Sequence, residues 1–144
     1  MRLVFADTLY WVAIVRPGDP WAEAAKQARS TLGPVVIVTT DEVLTEFLTS
    51  LSAGGEQLRR QATQMVRVIL ENPNVRVLPQ SRDSFLRGVE LYGQRLDKQY
   101  SLTDCVSMNA MRSESVKDAL TNDRHFAQEG FTVLIPAKEE AAPS

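Results

Sequence analysis

Four acidic residues of this sequence occupy positions at which carboxylates can act together: Asp7, Glu46, Asp104 and Asp123. Asp7 directly follows the apolar run 2–6, which has the length and composition of a buried strand. Asp123 comes three residues after the apolar segment 116–120, which also predicts a strand. Because ligands of open parallel sheets bind outside the carboxyl ends of the strands, both side chains are expected at a binding edge.

Capping is an alternative explanation for each of the three Asp residues. Asp is a favoured N-cap, so Asp7 and Asp123 can simply cap the helices that follow them. Asp104 stands three residues after Ser101, which is the spacing of a capping box at the start of a helix. Taken one at a time, these preferences favour a structural role over a catalytic one.

Glu46 has no capping explanation. The segment 39–53 predicts a helix that begins with Thr39 and Glu42 in capping-box spacing and ends before two glycines. Its apolar side chains form one stripe at helical spacing: Val43, Leu44, Phe47, Leu48 and Leu51. Glu42 lies nearly opposite that stripe, whereas Glu46 lies at its border. From there Glu46 can lean over the edge of the sheet toward Asp7.

Four converging carboxylates would repel one another and resist ionisation unless cations lay between them. Oxygen ligands suit Mg²⁺ or Mn²⁺, and such ions can activate water and polarise a phosphodiester. The sequence has one His and one Cys, which nearly excludes a zinc site of the usual type. His125 is also the one histidine that could activate a Ser or Cys nucleophile. The residue types therefore indicate hydrolytic phosphoryl transfer.

Composition sets broad limits on the class of protein. A length of 144 residues with 44% hydrophobic and 24% charged residues is typical of one globular domain. The net charge of −2 argues against non-specific coating of nucleic acid but does not exclude a nuclease. The apolar stretch 3–15 is too short to span a bilayer and does not resemble a signal peptide, so we expect no membrane association. A lone cysteine, Cys105, favours a reducing compartment, most simply the cytoplasm.

Short apolar segments alternate with longer helical ones along the chain. Strands are predicted at 2–6, 35–38, 75–78, 116–120 and 131–135. Helices are predicted at 8–15, 21–32, 39–53, 56–71, 81–97, 101–112 and 123–128. This alternation predicts an α/β domain with a mainly parallel sheet covered on both faces. The domain is expected to span 1–136, followed by a flexible polar tail at 137–144.

The chain resembles PIN domains, and among them the toxins of VapBC-type toxin–antitoxin systems. The likeness runs through FADTLYW, TTDEVLTEFLTSL, YSLTDCVSMNAMR and ALTNDRHFAQEGF, nearly the whole length. In PIN domains the first strand ends in Asp followed by Ser or Thr, here Asp7 and Thr8, and the family's Glu matches Glu46. The third acid, at a helix start, matches Asp104, and the fourth, in the pattern T-x-D-x-x-F, matches Asp123.

The resemblance implies a three-layer α/β/α sandwich, Mg²⁺ or Mn²⁺ bound by the four carboxylates, and endonucleolytic cleavage of RNA. It also implies a homodimer and a cognate antitoxin that inserts a segment near the active site. One residue departs from the pattern, because Glu42 stands where relatives often have an uncharged side chain. We expect it to add negative charge near the groove.

Five further residues are candidates for supporting roles. Thr8, Thr103 and Thr121 can orient a metal-bound water or a neighbouring carboxylate, although they are equally good capping and turn residues. Arg124 and His125 flank Asp123 and can meet substrate phosphate, although a solvated turn explains them as well.

Three other functions use similar residues. One is a PIN nuclease that processes RNA and has no antitoxin, and another is a non-catalytic PIN-like binding module, which the acidic composition suits. A phosphate-accepting receiver domain also places acids at a sheet edge. It requires a pair of acids after the first strand and a Lys after the last, and the sequence provides only Asp7 and no well-placed Lys.

Overall fold

The structure is a computed structural model that describes residues 1–136, so the tail predicted at 137–144 lies outside the described residues. The strands in this range are β1 (Leu3–Ala6), β2 (Val36–Thr40), β3 (Val75–Leu78), β4 (Asp118–Leu120) and β5 (Thr132–Val133). The helices in this range are α1 (Thr8–Val15), α2 (Ala22–Leu32), α3 (Asp41–Ser50), α4 (Glu56–Glu71), α5 (Arg82–Gln94), α6 (Leu102–Ser113) and α7 (Arg124–Gln128).

The five strands form one parallel sheet in the order β3-β2-β1-β4-β5. Parallel neighbours must be joined by crossovers, which here are helical and cover the sheet. The predicted α/β class and the three-layer α/β/α sandwich with a parallel sheet are therefore confirmed.

The central strand β1 is the most deeply buried part of the sheet. Val4, Phe5 and Ala6 are fully buried, as their unbroken apolar run predicts. The strand pairs with β2 on one side and with β4 on the other. The chain thus builds the sheet outward in both directions from β1, and the carboxyl ends of β1 and β4 meet at this reversal of strand order. Such a switch point opens a crevice in which side chains can converge.

The predicted cap of α3 was wrong by one residue. Thr40 is the N-cap, because its hydroxyl accepts a hydrogen bond from the Val43 amide at 3.1 Å. Thr39 instead belongs to β2, and its hydroxyl donates to the Ala6 carbonyl at 2.9 Å. Leu48 was also misassigned to the apolar stripe, since its side chain is 39% exposed. Neighbouring threonines with the same capping preference cannot be separated without the strand pairing.

Helix α5 presents an apolar face to solvent. The side chains on this face are between 43% and 52% exposed: Phe85, Leu86, Val89 and Tyr92. The buried residues of the helix, Gly88 and Leu91, are on its other side. Within 1–136, no helix combines the length and apolar character needed to cross a membrane.

Candidate active site

Asp7 is a buried carboxylate at the carboxyl end of β1. It occupies the N-cap position of α1, but its side chain makes no capping hydrogen bond. Instead, its Oδ2 accepts a hydrogen bond from the Thr121 hydroxyl at 2.9 Å. Burial is the main reason that the pKa of Asp7 is raised to about 7, and the nearby charges of Asp104 and Glu46 contribute to this rise. The capping explanation therefore does not account for this residue.

Glu46 reaches the same edge of the sheet from α3. The Thr8 hydroxyl, in the first turn of α1, donates a hydrogen bond to Glu46 Oε1 at 2.6 Å. Glu42 has a different environment, because its Oε2 lies 3.4 Å from the Ser84 hydroxyl on α5. The structure thus brings Glu46 and not Glu42 toward Asp7, as the helical geometry predicts.

Asp104 both caps α6 and faces the other acids. The predicted capping box is present, since the Ser101 amide donates to Asp104 Oδ2 and the Asp104 amide donates to the Ser101 hydroxyl, both at 3.0 Å. The Asp104 side chain is only 13% exposed, and Oδ2 also lies 3.2 Å from His125 Nδ1. Burial raises the pKa of Asp104, and the charge of Asp123 adds to this effect.

Asp123 caps the short helix α7, and His125 lies in the first turn of that helix. The Asp123 side chain accepts a hydrogen bond from the His125 amide at 2.9 Å, and its Oδ1 is 3.3 Å from His125 Nδ1. Asp104, Asp123 and His125 each offer one ligand atom, and these atoms lie within 4.8 Å of one another. Nothing in the sequence favoured a ligand role for His125 over that of a solvated turn residue, and the spacing D-x-H is its only local signal.

Thr121 links two of the carboxylates. Its fully buried hydroxyl donates to Asp7 Oδ2 and accepts a hydrogen bond from the Asp123 amide at 3.1 Å. Thr8 has a similar role at Glu46. In contrast, Thr103 has no side-chain hydrogen bond among the described residues, and Arg124 is exposed. Two of the three candidate threonines therefore hold carboxylates in place.

The donor set fits a hard divalent cation. Carboxylate oxygens dominate, with one imidazole nitrogen, and together they offer too little sulfur and nitrogen for a typical structural zinc site. The raised pKa values of Asp7 and Asp104 show that burial and mutual repulsion oppose ionisation of these groups. A cation among them would offset both effects. The arrangement is therefore suited to binding a metal beside a phosphodiester.

Comparison with known proteins gives a relative that matches over most of this chain. No protein-family model matches the chain. The 23S rRNA-specific endonuclease VapC20 of Mycobacterium tuberculosis is 28% identical over 134 residues, which cover 93% of this chain and 99% of VapC20. The crystal structure of VapC20, described as a sarcin–ricin loop cleaving toxin, has a TM-score of 0.80 and 27% identity. That match covers 92% of this chain and 99% of the other.

Two more distant structures share the architecture. FitAcB from Neisseria gonorrhoeae has a TM-score of 0.65 at 14% identity, and the match covers 91% of this chain and 96% of the other. A toxin–antitoxin complex from Klebsiella pneumoniae has a TM-score of 0.59 at 16% identity over 84% of this chain and 87% of the other. At these identities the likeness concerns the fold alone.

Proposed function

We propose that this chain is a ribonuclease toxin of the VapC-like PIN type, and that its cleavage of RNA depends on Mg²⁺ or Mn²⁺ bound by four carboxylates. These are Asp7, Glu46, Asp104 and Asp123. The observation that carries the proposal is the convergence of ligand atoms from Asp104, Asp123 and His125 within 4.8 Å. Asp7 and Glu46 lie close enough to this group for their charges to act on one another.

Each protein group has a defined task in this proposal. A divalent cation, when bound, supplies Lewis acidity toward the phosphodiester. Asp104 and Asp123 hold it at the ends of two helices, where backbone amides already fix both carboxylates. A ligand role for His125 requires that the ring nitrogen facing the cation carry no proton. Asp7, which is 7% exposed, keeps its carboxylate shielded from water at the bottom of the crevice.

The two threonines restrict the carboxylates to the positions that binding requires. Thr121 holds one carboxylate oxygen of Asp7 by a hydrogen bond and so leaves the other oxygen to bind the cation. Thr8 does the same for Glu46. Because outer partners of this kind commonly set ligand orientation, we assign both to positioning and not to proton transfer.

RNA cleavage by the purified protein tests the proposal. The probe is an oligoribonucleotide that carries the sarcin–ricin loop of 23S rRNA, the site that VapC20 is described as cleaving. We expect cleavage by wild type with Mn²⁺, none with a chelator, and a loss of at least about 100-fold in Asp104→Asn. Undiminished cleavage by Asp104→Asn would contradict the assignment of the site, and metal-independent cleavage would contradict the chemistry.

An antitoxin is the expected protein partner. Relatives with this fold include a toxin in complex with its antitoxin, which supports such a partner here. We expect expression of the chain alone to arrest growth, and co-expression of a cognate antitoxin, sought among the neighbouring genes, to relieve the arrest. Growth arrest that no neighbouring gene relieves would favour a nuclease of RNA processing instead.

We propose that the protein acts in the cytoplasm. The proposed RNA substrate is found there, and the one cysteine of the sequence, the buried Cys105, suits a reducing compartment.

The exposed apolar face of α5 supports a homodimer. Its apolar side chains Phe85, Leu86, Val89 and Tyr92 are about half exposed and lie together along the helix. Two copies that pair through this face would bury these side chains around a two-fold axis. We propose a second copy of the chain as the partner that covers this face.

A further inference from the structure

We propose that Glu129 is a positioning residue of the active site, which holds α7 against α6 so that Asp123 and Asp104 stay at the separation a cation needs. The inference rests on the function proposed above and adds a residue that lies outside the carboxylate set. Glu129 follows α7 directly and is its C-cap, whereas Asp123 is its N-cap. The two acids therefore flank the same short helix.

Glu129 is the acceptor for three side chains from other segments. Arg95 donates through Nε at 2.6 Å, Arg112 through Nη2 at 2.5 Å, and the Tyr100 hydroxyl at 3.0 Å. Arg95 is the C-cap of α5, Arg112 lies in the last turn of α6, and Tyr100 precedes the N-cap of α6. We call these four residues the Glu129 cluster. It joins α5, α6 and α7 at one carboxylate.

Negative charge at this carboxylate is needed to keep the cluster together. The side chain of Glu129 is 5% exposed, and those of Arg95 and Arg112 are 34% and 42% exposed. The hydrogen bond from Arg95, together with those from Arg112 and Tyr100, lowers the pKa of Glu129 to about 2. Glu129 is therefore ionised at any working pH. Without its charge, two guanidinium groups would face each other across a neutral side chain and repel.

The cluster is connected to the active site through Tyr100. The Tyr100 ring lies 5.2 Å from the His125 ring, centroid to centroid, and Tyr100 is 5% exposed. The next residue, Ser101, caps α6 and holds Asp104 in its capping box. The hydroxyl of Tyr100 binds Glu129 while its ring packs against a residue that contacts Asp104 and Asp123. Movement of the cluster would thus reach both carboxylates.

Helix α7 needs such an anchor because it has only five residues. Helices of this length are not stable by themselves, so tertiary contacts must fix their orientation. At its start, Asp123 is tied to Thr121 and so to β4. At its end, the Glu129 cluster ties it to the helix that carries Asp104. Between them, the fully buried Phe126 packs against Phe5 in the core. We infer that removal of the tie at Glu129 lets α7 turn about Phe126, which displaces Asp123 and His125 from Asp104.

Titration calorimetry of Mn²⁺ binding to the whole protein, in the absence of RNA, tests the inference. We expect Glu129→Gln to weaken Mn²⁺ binding about tenfold, the usual order for loss of an outer positioning group. RNA cleavage should need correspondingly more Mn²⁺, while kcat at saturating Mn²⁺ should stay close to wild type. This split separates positioning from a general loss of structure, which would lower kcat as well.

Glu114→Gln is the matched control. Glu114 is the C-cap of α6 and pairs with Arg76 on β3, so its substitution also removes an ion pair from this helix but does not touch α7. We expect its Mn²⁺ affinity to stay within about twofold of wild type, since exposed pairs contribute little. Equal weakening in Glu114→Gln and Glu129→Gln would overturn the inference.

Tyr100→Phe keeps the test decisive if Glu129→Gln does not fold. This variant retains the ring against His125 and loses only the hydrogen bond to Glu129, and we expect about threefold weaker Mn²⁺ binding. If Tyr100→Phe and Glu129→Gln both bind Mn²⁺ with wild-type affinity, the positioning role is overturned and the proposed function stands. If Glu129→Gln does not fold, wild-type affinity in Tyr100→Phe alone leads to the same conclusion. No Mn²⁺ binding by wild type would overturn both.

Discussion

The four carboxylates differ in what holds them when no cation is bound. Asp104 and Asp123 accept hydrogen bonds from backbone amides at helix starts, so the fold needs them for capping as well. Asp7 has no capping bond and is buried at a cost, which its raised pKa reflects. Glu46 is held by the single hydroxyl of Thr8. Asp7 and Glu46 are thus the two acids whose presence a purely structural role explains least.

Glu46 and Glu42 provide a matched pair on one helix. We expect Glu46→Gln to lower Mn²⁺-dependent RNA cleavage at least about 100-fold, because a neutral amide cannot replace a carboxylate beside a cation. Glu42→Gln should cleave as fast as wild type or faster, since it removes negative charge near the RNA. Initial rates at saturating Mn²⁺ measure both. A slower Glu42→Gln with an unaffected Glu46→Gln would reverse the assignment.

Asp7 makes the stability of the metal-free protein depend on pH. Its pKa is about 7 in the folded chain and 3.8 in the reference state, so between these values the folded protein binds the proton more tightly. Stability is therefore greatest below about pH 4 for this group, and falls by up to about 4 kcal/mol as the pH rises to 7. Melting curves in chelator from pH 4 to 8 should show this decline in wild type, and a clearly smaller one in Asp7→Asn, where Asp104 is the remaining acid with a raised pKa.

Mn²⁺ supplies the control for that experiment. The cation binds the ionised form of Asp7, so it should raise the melting temperature more at pH 8 than at pH 5. A wild type and an Asp7→Asn variant with parallel melting curves in chelator would show that Asp7 does not carry the pH dependence.

At the residue scale, the positions of the candidate carboxylates could be predicted in part from the sequence. Asp7 was predicted from its place at a strand end, and Glu46 from its place at the border of the apolar stripe of α3, where the structure brings it to Thr8. The position of His125 was not predictable, because it depends on the packing of α7 against α6 and Tyr100. The contact is between residues 21 positions or more apart and leaves no local pattern.

At the scale of elements, segments bounded by strong turn signals were predicted to the residue. Helix α4 and strand β3 have the predicted bounds, since glycines and an Asn-Pro-Asn turn delimit them. Helix α5 ends at Gln94, three residues before the predicted end, and β4 and β5 are shorter than predicted. The sheet order was not predictable, because alternation of strands and helices indicates parallel pairing but not which strands are neighbours.

The capping boxes of α5 and α6 provide a comparison at this scale. Ser81 and Ser101 each accept a hydrogen bond from the amide three residues on. Their replacement by Ala should cost about 1 kcal/mol in each case. Only Ser101→Ala should also weaken Mn²⁺ binding, by about threefold to tenfold, because Asp104 is its box partner. Urea unfolding and Mn²⁺ titration measure the two effects, and a similar loss of affinity in Ser81→Ala would contradict the account.

At the scale of the whole molecule, the α5 face predicts the state of assembly. We expect wild type to have twice the 16.1 kDa mass of one chain by light scattering, and Leu86→Glu to be a monomer. A buried charge at the centre of an apolar interface is strongly unfavourable. Leu70→Glu is the control, since Leu70 is also exposed but lies on α4. A monomeric wild type, or dissociation of both variants, would contradict the proposed interface.

The central claim is that one site at the carboxyl edge of the sheet binds the cation. Anomalous diffraction from crystals of the protein grown with Mn²⁺ tests it most directly, because the ion is located without reference to activity. The account predicts a Mn²⁺ peak in contact with the carboxylates of Asp104 and Asp123, beside Asp7, and no such peak in Asp104→Asn crystals. A Mn²⁺ ion bound elsewhere, with this cluster empty, would contradict it.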